Sequence, residues 1–213
     1  MKIANDSEIT GHWLSYLNGA FALANAFGPS SVGGRPHARP EGEQLVIAVR
    51  EALAHATVEP PTLAAADAEL MAATGQELWR VFTAVAEGRL DDGVHQTNAM
   101  LSNIAPQPAL TRHGPAGNWH LHFTAAAQGE GQRWASDVIV ATAMLQGSEA
   151  WERAGRCAAA RCERVFLDQT RNHSQQFCST HCQDRTKTAA RRHRRREHAS
   201  AEAATSVREE ARR

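Results

Sequence analysis

Cys157-Ala-Ala-Ala-Arg-Cys162 and Cys178-Ser-Thr-His-Cys182 hold all four cysteines of the chain, with residues 163–177 between the two pairs. Two closely spaced pairs joined by a loop let a chain present four thiolates to one tetrahedral ion. Four sulfurs suit Zn²⁺, and a closed four-sulfur shell leaves no open position for a substrate, so the site reads as structural. Arg156, Arg161 and Arg164 lie beside the first pair, where their charge favours ionised thiolates. The competing readings are four free cysteines, two disulfides, or an iron–sulfur cluster. The start of the chain, Met1-Lys2-Ile3-Ala4-Asn5-Asp6, lacks the apolar stretch of a secretion signal, and a cytoplasmic setting favours metal over disulfides. His173 and His181 are read as non-ligands, since His181 sits inside the second pair.

Downstream of the knot the chain turns basic. No Pro or Gly occurs from Asp184 to Arg213, so the segment reads as one helix with Asp184 as its N-cap. Lys187, Arg191 and Arg195 recur at i, i+4, as do Arg192 and Arg196. They form a cationic face over about half the helix circumference. A metal knot joined to such a helix points to nucleic acid. Lys187, Arg191, Arg192, Arg195 and Arg196 are the candidates for phosphate contact, and Arg171 and Arg185, nearer the knot, for base edges in double-stranded DNA. The sequence offers no aromatic stacking platform of the kind single-strand readers use, and RNA stays open. The bland alternative is a solvated terminal helix.

The charge is divided along the chain. Residues 1–150 hold 8 Lys+Arg against 15 Asp+Glu, a net −7, and residues 151–213 hold 15 against 8, a net +7. An acidic body therefore carries a basic arm.

Upstream, a 42% hydrophobic and 6% aromatic composition with abundant alanine favours helices. Apolar spacing predicts helices over 9–27, 43–56, from Thr62 to Gly88, from Asp91 or Asp92 to Ile104, and over 132–148. Gly75 is a potential break in the third. Residues 28–42, with four glycines and three prolines, read as loop. Pro115-Ala116-Gly117-Asn118 is turn chemistry joining Ala109–His113 to Trp119–Thr124 in a β-hairpin, with Trp119, Leu121 and Phe123 inward and His120 and His122 toward solvent. The fold class is thus mainly α: a helical domain over 1–150 with a small hairpin, a zinc finger with basic helix over 153–198, and a charged tail over 199–213.

The order of features around the knot resembles the CGNR zinc-finger family. After the first pair come Arg164-Val165-Phe166-Leu167-Asp168 and the polar Thr170-Arg171-Asn172; an aromatic, Phe177, precedes Cys178, and Arg185 and Lys187 follow Cys182. The family's Cys-Gly-Asn-Arg stands here as Cys182-Gln183-Asp184-Arg185, and its usual tryptophan before the third cysteine is Phe177. The helical body is similar to the ABATE, or stress-induced transcription regulator, domain that usually precedes this finger; Leu14-Ser15-Tyr16-Leu17-Asn18 shares Asn18 and the apolar pattern with its signature. The resemblance implies zinc binding, DNA binding and transcription regulation. The second reading is a protein-interaction module whose finger is purely structural.

Nothing in the chain points to an enzyme. There is no phosphate-binding glycine loop and no nucleophile elbow. His37, His55, His95 and His113 are scattered, and Asp91-Asp92 reads as a helix cap. Trp13, Trp79, Trp119, Trp134 and Trp151 read as core, with room among them for a small-molecule effector. No apolar run reaches the length of a bilayer span, so no membrane partner is expected and the expected location is cytoplasmic.

Overall fold

The computed structural model describes residues 7–57, 59–112, 119–123 and 129–210; side chains are described within 13–198 of these ranges. Six α-helices stand among them: α1 Ser7–Phe27, α2 Gly42–Leu53, α3 Ala65–Ala86, α4 Leu90–Ile104, α5 Glu130–Gln146 and α6 Thr180–Glu210. Three two-stranded antiparallel ribbons accompany them: β1 Ser31–Val32 with β2 Arg35–Pro36, β3 Ala109–Thr111 with β4 His120–His122, and β5 Ala154–Arg156 with β6 Val165–Leu167. The chain is mainly α, as its composition predicts, and the four cysteines gather at its C-terminal end.

α3 forms the spine, because both of its flanks are apolar or small. Ala68, Met71, Ala72, Leu78, Val81 and Phe82 are all buried on it. α1 lies along α3, with Phe21 stacked on Phe82 at 3.9 Å between ring centres. Gly75 does not break α3. It admits α1: a Cβ there would sit 2.7 Å from the Leu23 carbonyl oxygen, so only glycine lets the two backbones approach so closely. α2 buries Leu45, Val49 and Leu53, one face at helical spacing. α4 and α5 close the other side with Met100, Ile104, Val138, Ile139 and Leu145. Each such aliphatic or aromatic side chain contributes about 1.5–3 kcal/mol on burial. Two hydroxyls buried within the helices are satisfied locally, Thr74 donating to the Leu70 carbonyl and Thr142 to that of Val138, whereas the buried Thr97 hydroxyl has no partner among the described residues.

Several expectations shift. Loop 28–42 contains the ribbon β1–β2, whose tight tip is Gly33-Gly34, both at positive φ. α4 begins at Leu90 with Asp91 and Asp92 inside its first turn, where Arg89 donates to Asp92; neither aspartate is the N-cap. The β3–β4 ribbon forms in the register Ala109↔His122, and its expected turn at 115–118 lies outside the described residues. Its faces are reversed. His122 turns inward, whereas Trp119 is 63% and Leu121 40% exposed. The reason is a polar pocket between α1 and α5, where Asp137 accepts from the Phe123 N–H and faces His122 Nδ1 at 3.3 Å, with the Tyr16 hydroxyl 3.5 Å from the same nitrogen. Burial, then the Asp137 charge, pushes the Tyr16 hydroxyl pKa upward, so it stays protonated. Trp119 is thus no core residue, while Trp13, Trp79, Trp134 and Trp151 pack against the core from its edge.

Packing is continuous across the expected boundary near residue 150. Ala154 and Val165, on β5 and β6, belong to the same buried cluster as the helices. Asn25 on α1 acts as a surrogate strand neighbour for β6, accepting from the Val165 N–H and donating to its carbonyl, both at 2.9 Å.

Candidate metal centre

The finger is built from a ribbon and a helix end. β5 and β6 pair in the register Ala154↔Leu167, and the first cysteine pair occupies the connection between them. Cys157 N–H donates to the Arg164 carbonyl at 2.9 Å, closing that connection into a knuckle. Arg161 adopts a left-handed conformation, φ 57°, to complete the turn. The second pair straddles the start of α6. This helix begins at Thr180, five residues earlier than an Asp184 cap would place it, so Asp184 is not its cap. Ser179 takes that role: its hydroxyl accepts the Cys182 N–H at 3.3 Å. Cys182 therefore lies in the first helical turn.

The four Sγ atoms lie within 4.8 Å of one another. Cys162–Cys178 and Cys178–Cys182 are each 3.8 Å and Cys182–Cys162 is 3.7 Å. A tetrahedron with metal–sulfur bonds of about 2.3 Å has edges of about 3.8 Å. The donor set and its spacing thus fit a four-thiolate metal site. Residues 153–195 match the family model described as CGNR zinc finger. The match takes in β5, β6, both cysteine pairs and half of α6, and does not reach the helical body. No curated protein matches the chain.

Within the matched segment the cysteines are buried or half-buried, with Ala159 and Phe177 packed around them. Burial pushes the Cys162 thiol up, but N–H groups of Gly33 and Arg164 and the sulfurs of Cys182 and Cys157 outweigh it and bring it to about 7. Burial and the neighbouring sulfurs push Cys178 up, and burial raises Cys157. Four such thiols close together cannot all ionise without a cation among them. Gln183 fits without strain because position 183 lies inside the helix and needs no positive φ. His173 and His181 stand outside the sulfur cluster and are exposed.

The body reaches into this centre through contacts distant in sequence. The ribbon tip of β1–β2 lies on the knuckle: Gly34 N–H donates to the Arg161 carbonyl at 2.8 Å, and Ser31 Oγ to the same oxygen at 2.5 Å. Ser30 donates through its N–H and hydroxyl to Glu163 at 2.7 and 3.0 Å. The Ser30 N–H, against the opposing effect of burial, holds the Glu163 carboxyl below its ordinary pKa. Trp79 Nε1 donates to the Glu163 carbonyl at 2.9 Å. Arg156 pairs with Glu87 of the body at 2.8 Å. The only sequence signal for these contacts is the Gly33-Gly34 pair itself.

Of the residues singled out for nucleic acid, Lys187, Arg191, Arg192, Arg195 and Arg196 are all exposed, as is every side chain from Lys187 to His198. α6 thus leaves the body after two turns. At 31 residues it is about 46 Å long. Arg171 is exposed in the loop between β6 and Cys178. Arg185 is half-buried: its Nη2 donates to the Ala160 carbonyl at 2.5 Å, and its guanidinium lies over Gly34. Asp168 organises the loop before Cys178, accepting from Thr170 N–H and Oγ and from Gln175 N–H at 2.5–2.9 Å.

Proposed function

We propose that the chain is a zinc-dependent regulator that binds duplex DNA through the CGNR finger and α6, with the helical body, ABATE-like in its sequence pattern, as sensor. The observation that carries the reading is α6: a basic helix fixed at one end in the metal knot and free along its cationic length. The four cysteines hold Zn²⁺, whose chemistry here is structural. Lys187, Arg191, Arg192, Arg195 and Arg196 contact phosphates, and Arg171, exposed in the loop before Cys178, offers its fork-shaped donor to a base edge. Arg185, held by Ala160, aims the helix and presents its remaining donors beside it. The acidic body repels the DNA backbone and orients the complex with α6 foremost. The protein works in the cytoplasm and catalyses no reaction.

The test is binding of the zinc-loaded full chain to random-sequence duplex DNA over a range of salt. Affinity should fall steeply with salt, as counterion release requires. No binding at low salt would replace this reading with that of a protein-interaction module in which the finger is a structural staple.

A further inference from the structure

A cleft of about 960 Å³ lies between α1, α2 and the segment 37–41 on one side and β6 on the other. It is not among the tryptophans, where the sequence suggested room for an effector. Its origin is compositional. Ala22 and Ala26 on α1 line it, as do Ala48 and Ala52 on α2, each pair one helical turn apart. Methyl groups at these positions leave space that leucines would fill. Phe166 and Leu167 of β6 extend the apolar wall. The volume is that of a small-molecule site.

One polar group in the cleft is unspent. Arg164 lines it, and the buried Nε of that side chain has no hydrogen-bond partner among the described residues. Gln44 and His55 stand exposed at the rim, and the polar groups deeper in the wall are engaged. Asn25 is committed to Val165, Gln169 donates to Asn18, His37 bonds the Ala26 carbonyl, and Arg39 pairs with Glu69. The carboxylates of the lining, Glu41 and Glu51, are exposed at the solvent edge. The Arg164 side chain has no ion pair among the described residues, so its guanidinium is the group an incoming anion would meet.

We propose that this cleft binds a small amphipathic anion, its acidic group on Arg164 and its apolar part over the alanine floor. The site joins the two halves of the molecule. α1 and α2 belong to the body, whereas the backbone of Arg164 closes the Cys157 knuckle. An occupant therefore ties body to finger. Its regulatory meaning rests on the regulator reading above; the binding itself does not.

The experiment uses the zinc-loaded full chain with anilinonaphthalene sulfonate as fluorescent probe, displaced by phenylbutyrate or by its uncharged counterpart phenylbutanol. Wild type should bind the probe saturably and lose it to phenylbutyrate. Arg164→Gln should weaken phenylbutyrate by about tenfold or more and leave phenylbutanol unchanged. Ala48→Leu should exclude both. Zinc content and thermal melts establish that each variant is folded; if Arg164→Gln loses metal, Ala48→Leu decides alone. Absence of saturable binding, binding untouched by Ala48→Leu, or equal weakening of acid and alcohol by Arg164→Gln in a zinc-loaded protein would overturn the proposal. No DNA enters the assay, so failure of the regulator reading and failure of the cleft are separately visible.

Discussion

At the scale of single residues, one zinc per chain should copurify with reduced protein, and Cys178→Ser should abolish it; elemental analysis reads both. Cys157, Cys162, Cys178 and Cys182 declare themselves in the sequence because a chelate needs short local spacing. Ser30, Trp79 and Glu163 do not, because their contacts cross more than 80 positions of chain, as the bond from Trp79 to Glu163 shows. Gly34 stands at φ +86° with the Arg185 guanidinium 2.6 Å from where a Cβ would be. Gly34→Ala should therefore cost about 1 kcal/mol or more, seen in denaturant melts of the zinc-loaded protein. Asp168 gives a pH signature. Burial acts to raise its pKa, but the Thr170 hydroxyl and the N–H groups of Gln175 and Thr170 outweigh it and hold it below the ordinary carboxylate range. A depressed folded pKa gives stability that is full above the unfolded value of about 3.9 and is lost as pH falls through the lower folded value. The melting-temperature gap between wild type and Asp168→Asn should accordingly be widest near neutrality and close in acid. A gap independent of pH would remove the carboxylate from this role.

At the scale of elements, periodicity located five body helices to within a few residues, and it failed where local order is too short to have a period. β1–β2 and β5–β6 contain strands of two and three residues, and their pairing is set by turns and by the surface they lie on. The reversed face of β4 has the same cause: three residues of alternation cannot say which face is wet, and Asp137 decides it for His122. α6 was legible in composition and misplaced in origin, since the Ser179 cap is intelligible only once Cys182 is known to be in the first turn. The prediction for this element is quantitative. Replacing Arg191, Arg192, Arg195 and Arg196 together by Gln should flatten the slope of log affinity against log salt by about three to four units on any duplex. An unchanged slope would mean that the DNA contacts lie elsewhere.

At the scale of the whole molecule, the division at residue 150 describes charge and composition better than it describes packing. Ala154 and Val165 complete the body's core, and Asn25, Ser30, Gly34 and Trp79 all bond to the finger. Chelating the metal should therefore lower the melting temperature of the helices, followed by circular dichroism, and shift tryptophan emission as Trp79 loses its acceptor. Melting of the body at an unchanged temperature after metal removal would show that the two halves are energetically separate in spite of their contacts. A chain ending at residue 150 should be helical but melt lower than the full protein, having lost Val165 from its centre.

The ribbon tip also sets an order of events in time. Ser31 and Arg161 are 130 positions apart, so the ribbon leaves the ribosome long before the thiols it will touch. Synthesis proceeds at about 5–20 residues per second, so the helices have seconds to assemble first. The knuckle then emerges onto a surface already waiting for it, and metal capture becomes the closing step of biogenesis instead of its nucleus. A ribosome-bound chain stalled before residue 157 should already protect its helices from protease, and zinc should alter that protection only once Cys182 has cleared the exit tunnel.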